Sequence, residues 1–339
     1  MRNYKTNFDN AVEYGLSKGK MPWWKIFIMG FLGSIYVGIA YVGYVKIAAA
    51  FINNAESVGT SLAFNPGGLV LASAIFPVGL LFIVFLGGSL FTSDNLSMLG
   101  VLSKKASFRS LFRKWFFVLL ANTIGAFFIA YVLRIANAFH GDELRVISWL
   151  IAKKTFDDWY AIIASAFVSN ILVAGTVWAS LATTQSIGKI FVIYFPITLF
   201  ALTGFHHVVA NIIIFAIGIS YNAEITELIG QAWIGRAVYN NVLPATLGNW
   251  LSGAIFLPIM YWLLVKYKAK PYSLLQTIGV MIHIGDSDGY CQECKLDVDA
   301  ISQHIVEKHK NKNRIQLLKY SYQKYRDAYK NEKKNKAKS

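Results

Sequence analysis

Six apolar runs, each long enough to cross a bilayer, leave this chain few ways to fold. They lie near Trp23–Phe51, Gly68–Gly87, Leu111–Phe139, Trp159–Ala182, Ile190–Ile219 and Leu243–Val265. At roughly 1.5 Å per helical residue, each covers about 30 Å of hydrocarbon. In lipid every backbone N–H and C=O must be paired within the protein, so only helices or closed barrels span it. Hydrophobic residues make up 55% of the chain and charged ones only 15%, which is outside soluble usage. The first twenty residues are polar and amphipathic. They do not read as a cleavable leader, so the first run is expected to be the insertion signal and to stay in the mature protein.

Two of the helices are interrupted at corresponding places. Leu90–Asn95 breaks the second apolar segment of the first half, and Gly204–Asn211 breaks the second segment of the second half. A bilayer tolerates such breaks only where the freed backbone groups line a protein-enclosed cavity or pathway. Matching breaks in two halves point to an inverted repeat with a solute path between them. Asn122 with Gly125 and Ala126 resembles Asn249 with Gly253 and Ala254, which supports the repeat. The expectation is an all-α membrane protein of six transmembrane helices, with helices two and five broken, that moves a small solute.

Basic residues set the orientation. Arg2, Lys5, Lys18 and Lys20 precede the first span, and Lys104, Lys105, Arg109, Arg113 and Lys114 follow the second. Asn53–Gly67 carries no basic residue, and Ser220–Asn241 carries only Arg236. The positive-inside bias places both termini in the cytoplasm of a cell with a multi-pass protein in its plasma membrane. Trp23, Trp24, Trp115 and Trp159 near span ends fit an interfacial aromatic belt. The loop between spans three and four departs from the bias with Arg145, Lys153 and Lys154. Those charges read either as an ordinary solvated loop, offset by Asp142, Glu143, Asp157 and Asp158, or as a basic vestibule that concentrates anions.

Polar residues inside the spans need a reason to be there. Asn122, Asn170 and Asn249 read first as interhelical hydrogen bonds or caps on broken backbone, ahead of direct solute contact. His206 and His207 sit in a helix break, where an imidazole can donate to an anion or relay a proton. Neighbouring side chains on a helix diverge by about 100°, so only one of the two is expected to face the solute.

Several motifs carry a family resemblance. Leu90-Phe91-Thr92, the run from Gly204 to Asn211, the run from Leu243 to Asn249, and Asn170 with Ile171, Leu172, Val173 and Trp178 resemble the motifs of the formate/nitrite transporter family. The match covers roughly residues 8–266 in order and spacing. It implies an aquaporin-like six-helix protomer in a ring of five, each protomer with its own pore for small monovalent anions or their acids: formate, nitrite, lactate, acetate or hydrosulfide. Carried over residue by residue, it implies that His207 is the central pore histidine and that Thr92 faces it. Asn170 and Asn211 would support that region, and Lys154 would be the vestibule lysine. Phe76, Leu80, Phe91 and Phe200 would form the apolar constrictions, although sequence alone favours ordinary packing for those four. The family has an acidic residue ahead of the pore histidine and another ahead of Leu-Phe-Thr. Here those positions are His206 and Ser89, which should leave the pore surroundings less negative.

The expected domain layout is a cytoplasmic amphipathic segment over 1–22, the transport domain over 23–266 and a basic cytoplasmic tail over 267–339. The tail region, from residue 266 on, has twice as many lysines and arginines as aspartates and glutamates. Cys291, Cys294, His304 and His309, within 290–310, form Cys-x2-Cys-x9-His-x4-His, the ligand types of a tetrahedral zinc site. The reading without metal is a pair of free thiols on a surface helix. Transport itself calls for no cofactor, and the expected partners are the anion or weak acid, the bilayer and copies of the chain. Nucleic acid is not expected, although a finger with a basic helix is compatible with it. Two other functions stay open on sequence: a neutral-solute channel of the water or glycerol type, and a membrane-anchored binding protein acting through its tail. No nucleophile–base pair or cofactor fingerprint suggests an enzyme.

Overall fold

The computed structural model describes residues 4–19, 21–53, 62–266, 289–291 and 296–298. The chain divides into two compact units, Met1–Lys266 and Tyr267–Ser339. In the first unit an amphipathic helix α1 (Tyr4–Gly19) precedes the first span, α2 (Trp23–Ala50). The second span opens with α3 (Pro66–Ile75), where Asn65 caps the amide of Gly67 and Pro66 takes the first turn. Proline suits that position because its missing N–H would have no helical acceptor there. The span continues through α4 (Val78–Phe82) and a π-helical turn over Ile83–Gly87. After a break come α5 (Phe91–Asp94), a 3-10 turn over Asn95–Ser97 and α6 (Met98–Leu102).

The third span is α7 (Phe108–Ile135), capped by the Ser107 hydroxyl, which accepts from the Ser110 amide. The basic segment between spans three and four is a helix, α8 (Asp142–Thr155), with acids in its first turn and lysines in its last, as the helix dipole favours. Span four is α9 (Trp159–Ser180). The fifth apolar run is divided into α10 (Ser186–Thr203) and α11 (Val208–Ser220), and α12 (Asn222–Ile229) bends away from α11 by 101°. The sixth span starts earlier than its apolar run suggests, covering Trp233–Val265. It comprises the end of α13 (Ala232–Arg236), α14 (Leu243–Trp250) and α15 (Leu257–Lys266), joined by π-helical stretches over Ala237–Val242 and Leu251–Phe256. The protein is thus a multi-pass, six-span helical membrane protein.

α1 and α8 lie at opposite ends of α2. Asn7 on α1 donates to Trp178 O at the end of α9 (3.0 Å), and Lys46 near the end of α2 pairs with Glu143 on α8 (2.8 Å). Trp23, Trp24 and Trp159 are exposed near span ends as expected. Trp115 is not: it is buried, its Nε1 donates to Asp94 O (3.2 Å), and its ring meets Trp250 edge-on. An indole with a backbone acceptor inside the protein has no need of the headgroup layer.

In the second unit two short antiparallel strands are described, β1 (Gly289–Cys291) and β2 (Leu296–Val298), with Cys291 opposite Leu296. Cys291 ends β1; Cys294, His304 and His309 lie outside the described residues.

Candidate functional site

The two breaks are shorter than the motifs that mark them, and each is held by one asparagine. Only Gly88, Ser89 and Leu90 leave the helix at the first break, and only Gly204, Phe205, His206 and His207 at the second. Asn122 on α7 reaches across the first: its Nδ2 donates to Ser89 O (3.0 Å) and Gly30 O (2.7 Å), and its Oδ1 accepts from Phe91 N (3.0 Å). Asn249 on α14 does the same across the second, donating to His206 O (3.3 Å) and Ala166 O (2.7 Å) and accepting from Val208 N (2.8 Å). Each amide thus pairs one freed carbonyl and one freed N–H and ties the break to a neighbouring span, which removes the main cost of a broken helix in lipid. Gly33 makes the approach feasible at the first break, since a Cβ there would lie 2.5 Å from Ser89 O. Gly204 ends α10 at φ +65°, a conformation that favours glycine.

An ammonium closes each break. Lys18 on α1 donates to Gly88 O (3.3 Å), and Lys154 on α8 donates to Gly204 O (2.6 Å) and Phe205 O (3.0 Å). Cations at these places satisfy carbonyls left free where a half-helix stops. Lys154 lies outside the six spans, and burial pushes its ammonium down to about 7; Asp157 opposes that shift and Lys153 adds to it. For Lys18, burial alone would lower the pKa, but the carboxylate of Asp94 outweighs it and holds the ammonium above its ordinary range.

Thr92 and His207 meet where the breaks face one another, with Thr92 Oγ1 2.7 Å from His207 Nε2. His207 is also the N-cap of α11, its Nδ1 accepting from Ala210 N (3.2 Å). A nitrogen that accepts from a backbone amide carries no proton, so the neutral ring holds its proton on Nε2 and donates it to Thr92. The threonine's own O–H is then free to donate elsewhere. Beside the ring lies a cavity of about 30 Å³ lined by Val37, Phe76, Gly79, Leu80, Leu90, Val173, Ile197, Phe200, His207 and Ala210. That is room for about one water-sized group, in a wall whose only polar side chain is the imidazole. The Phe76 and Phe200 rings are 6.1 Å apart, and Phe200 meets His207 at 5.6 Å.

The structure sorts the remaining candidates. Phe76, Leu80 and Phe200 line the cavity with His207, whereas Phe91 is buried outside its lining. Asn170 donates to Asn249 O (2.7 Å) and Thr92 O (3.4 Å), behind the threonine. Asn211 donates to Asn241 Oδ1 (2.8 Å) and lies near His206 Nδ1 (3.5 Å). His206 turns away from the cavity: Asn241 Nδ2 donates to its Nδ1 (2.9 Å), and its Nε2 is 3.2 Å from Asp157 Oδ2.

Carboxylates stand at both breaks, although not at the positions where the motifs would have them, so the expected loss of negative charge is corrected by neighbours. At the first break, Asp94 lies 2.9 Å from Lys18 and 3.5 Å from Lys114, with all three buried. Ser89 Oγ accepts from Lys18 (2.7 Å) and Ser97 Oγ from Lys114 (2.7 Å). Lys18, assigned by sequence to the amino-terminal segment, and Lys114, assigned to the loop after the second span, are therefore internal. The sequence offered a signal for this cluster, since Asp94 is an ionised side chain within a membrane-spanning segment. The sequence marks Asp157 only as one of four acids offsetting the basic loop and Asn241 not at all; the two reach the second break from separate elements.

The profile of the formate/nitrite transporter family matches residues 5–263. A probable formate transporter of Methanothermobacter thermautotrophicus is 33% identical over 264 residues, covering 72% of this chain and 90% of that protein. A solved pentameric formate channel with formate bound superimposes with a TM-score of 0.58 at 26% identity, covering 71% of this chain and 97% of that one. An ion channel of the same family gives a TM-score of 0.65 at 20% identity, covering 76% and 98%, a likeness of fold alone. With a profile match across the whole six-span unit and the paired breaks it contains, the chain belongs to the formate/nitrite transporter family.

Proposed function

We propose that this protein carries small monovalent anions of weak acids, formate among them, across the membrane through a pathway in each protomer. The observation that carries this reading is the Thr92–His207 pair, 2.7 Å apart beside an otherwise apolar cavity. A bare carboxylate entering such a cavity loses its hydration at a cost of several kcal/mol. The positive charge of Lys154 concentrates the anion near the second break, and desolvation favours its protonated form. The neutral acid passes Phe76, Leu80 and Phe200 to the His207 ring on the cavity wall, and the Thr92 hydroxyl that the ring fixes, beyond that lining, donates to it on its way through. Asn170 and Asn211 hold the backbone and side chains around them.

The proton comes from the aqueous side in this scheme. Protonating His207 on Nδ1 would set an N–H against the Ala210 amide and lose the cap of α11, so the ring serves as a fixed donor. Flux is then coupled to the proton gradient through the acid itself. The protomers form a ring of five, as in the pentameric formate channel. The exposed Lys104, Lys105, Arg109 and Arg113 face the cytoplasm with both termini, and the plasma membrane is the site of action. For the tail, we propose that Cys291, Cys294, His304 and His309 bind zinc. The position of Cys291 at the end of β1, paired with Leu296, supports it, and metal content of the purified protein against a Cys291→Ser variant tests it.

Uptake into proteoliposomes under an inward proton gradient, comparing formate, nitrite, lactate and glycerol, tests the transport reading. Formate or nitrite uptake that rises with the gradient and falls by about tenfold or more in His207→Asn supports it. Glycerol uptake indifferent to pH, or no uptake of any anion, overturns it.

A further inference from the structure

His206 stands where an acid would be expected, and its hydrogen bonds assign its protonation. Asn241 Nδ2 donates both to Lys154 O (2.6 Å) and to His206 Nδ1 (2.9 Å), while its Oδ1 accepts from Asn211. Turning that amide round would set two oxygens together, so its orientation is fixed. His206 Nδ1 therefore faces amide donors and bears no proton, and the neutral ring directs Nε2–H at Asp157 Oδ2, 3.2 Å away. Such a ring cannot relay protons inward, because its far nitrogen ends on amide hydrogens. It can hold a carboxylate in place. The His206 side chain is 5% exposed and that of Asp157 55%, so the charge sits at the aqueous boundary, tethered to the break by a buried ring.

Lys154 lies on the same break, its ammonium on two carbonyls and, among the described residues, in no direct ion pair. We propose that Asp157 is the acidic member of this break: a positioning residue, held through neutral His206, whose charge keeps Lys154 protonated for anion capture. This rests on the anion-transport reading above. The other groups around Lys154 do not replace it. Lys153 has the same sign and lies over Trp149, and His206 and His207 are held neutral by their donors. Asn240 and Asn241 are uncharged, and Arg236 stacks on Phe156. Glu143 at the far end of α8 pairs with Lys46, and Glu224 on α12 pairs with Arg134. Lys154 stands at about 7 with the Asp157 charge already opposing its burial, so loss of that one counter-charge decides its state at neutral pH.

The test compares Asp157→Asn, Asp157→Glu and Asp158→Asn in proteoliposomes, measuring KM for formate as a function of pH. Asp158 accepts from Tyr160 (2.9 Å) and, among the described residues, makes no hydrogen bond or ion pair with His206 or Lys154, so its variant removes the same charge without the bond to His206. In Asp157→Asn the pH above which KM climbs should fall by roughly one unit, with KM raised several-fold at neutral pH. Asp157→Glu should restore the profile, and Asp158→Asn should match wild type. Identical profiles for the two asparagine variants would overturn the inference. Should the wild type carry neither formate nor any other small anion, the transport reading fails by itself. The inference is then decided by acetylating Lys154 with acetic anhydride across pH and reading the peptide by mass spectrometry. A midpoint lowered by Asp157→Asn and unmoved by Asp158→Asn supports it, and equal midpoints reject it.

Discussion

At the first break the charges are sealed inside the protein; at the second they reach the medium. Asn122 and Asn249 make the same three hydrogen bonds, and Lys18 and Lys154 each cap a half-helix from a segment that precedes the first span of its half. The backbone problem is thus solved identically twice, as an inverted repeat requires. The counter-charges differ. Asp94 lies wholly buried between Lys18 and Lys114, whereas Asp157 is half exposed and reaches its break only through His206. A buried ion cluster anchors α1 to the transport unit, and a boundary carboxylate leaves the other mouth responsive to the solution. One scaffold therefore carries a structural end and an adjustable end.

The contrast predicts a ranking of damage. Asp94→Asn leaves two buried ammonium groups without their anion, and breaking a buried pair from one side costs about 3–5 kcal/mol. It should lower the thermal midpoint of the detergent-solubilised protein more than any other single change discussed for either break. A smaller drop would mean that the cluster is reached by water and that the two ends are alike. Asn122→Ala and Asn249→Ala come next. Each strands one carbonyl and one amide N–H inside the protein, at about 3 kcal/mol, and equal midpoints are expected if the repeat holds energetically as well as geometrically. Unequal losses would show that one break carries more of the fold.

Thr92→Val sits between the two ends and removes only the hydroxyl that His207 orients. One lost hydrogen bond to the solute is worth about 1–1.5 kcal/mol, or roughly tenfold in flux. Thr92→Ser should retain transport, and unchanged formate uptake in Thr92→Val would take the threonine out of the pathway.

Much of this was legible in the sequence, and the rest was hidden for physical reasons. The six spans and both breaks follow from apolar length and its interruption, and the reading of Asn122 and Asn249 as caps on broken backbone follows from the cost of an unpaired amide in lipid. The divergence of His206 from His207 follows from neighbouring positions on one backbone. Trp115, Lys18 and Lys114 were misread because residue type reports a preference for interface or loop, while their burial depends on the carbonyl and carboxylate of Asp94, fixed elsewhere in the chain. The edges of the breaks were misplaced because helix resumes as soon as an asparagine supplies the missing bonds. That depends on a residue 31 or 41 positions away. Asp157 reads in the sequence only as one of four acids offsetting a basic loop, because its relation to His206 spans 49 positions and joins a loop to a span.

The smallest expected effect is the sharpest check on the contrast. Asp157→Asn removes a charge of the same sign as Asp94→Asn, from the acid at the other break. Yet its side chain is 55% exposed, so water already solvates much of the carboxylate, and exposed pairs of this kind contribute below about 1 kcal/mol. The substituted amide also keeps an oxygen that can accept from His206 Nε2–H, so no buried donor is stranded. Thermal unfolding at neutral pH should therefore place Asp157→Asn within about 1 kcal/mol of wild type, while its KM profile moves. A stability loss approaching that of Asp94→Asn would mean that Asp157 holds the second break together. Both ends of the pathway would then be structural, and the responsive end would have to be sought in the Lys154 ammonium alone.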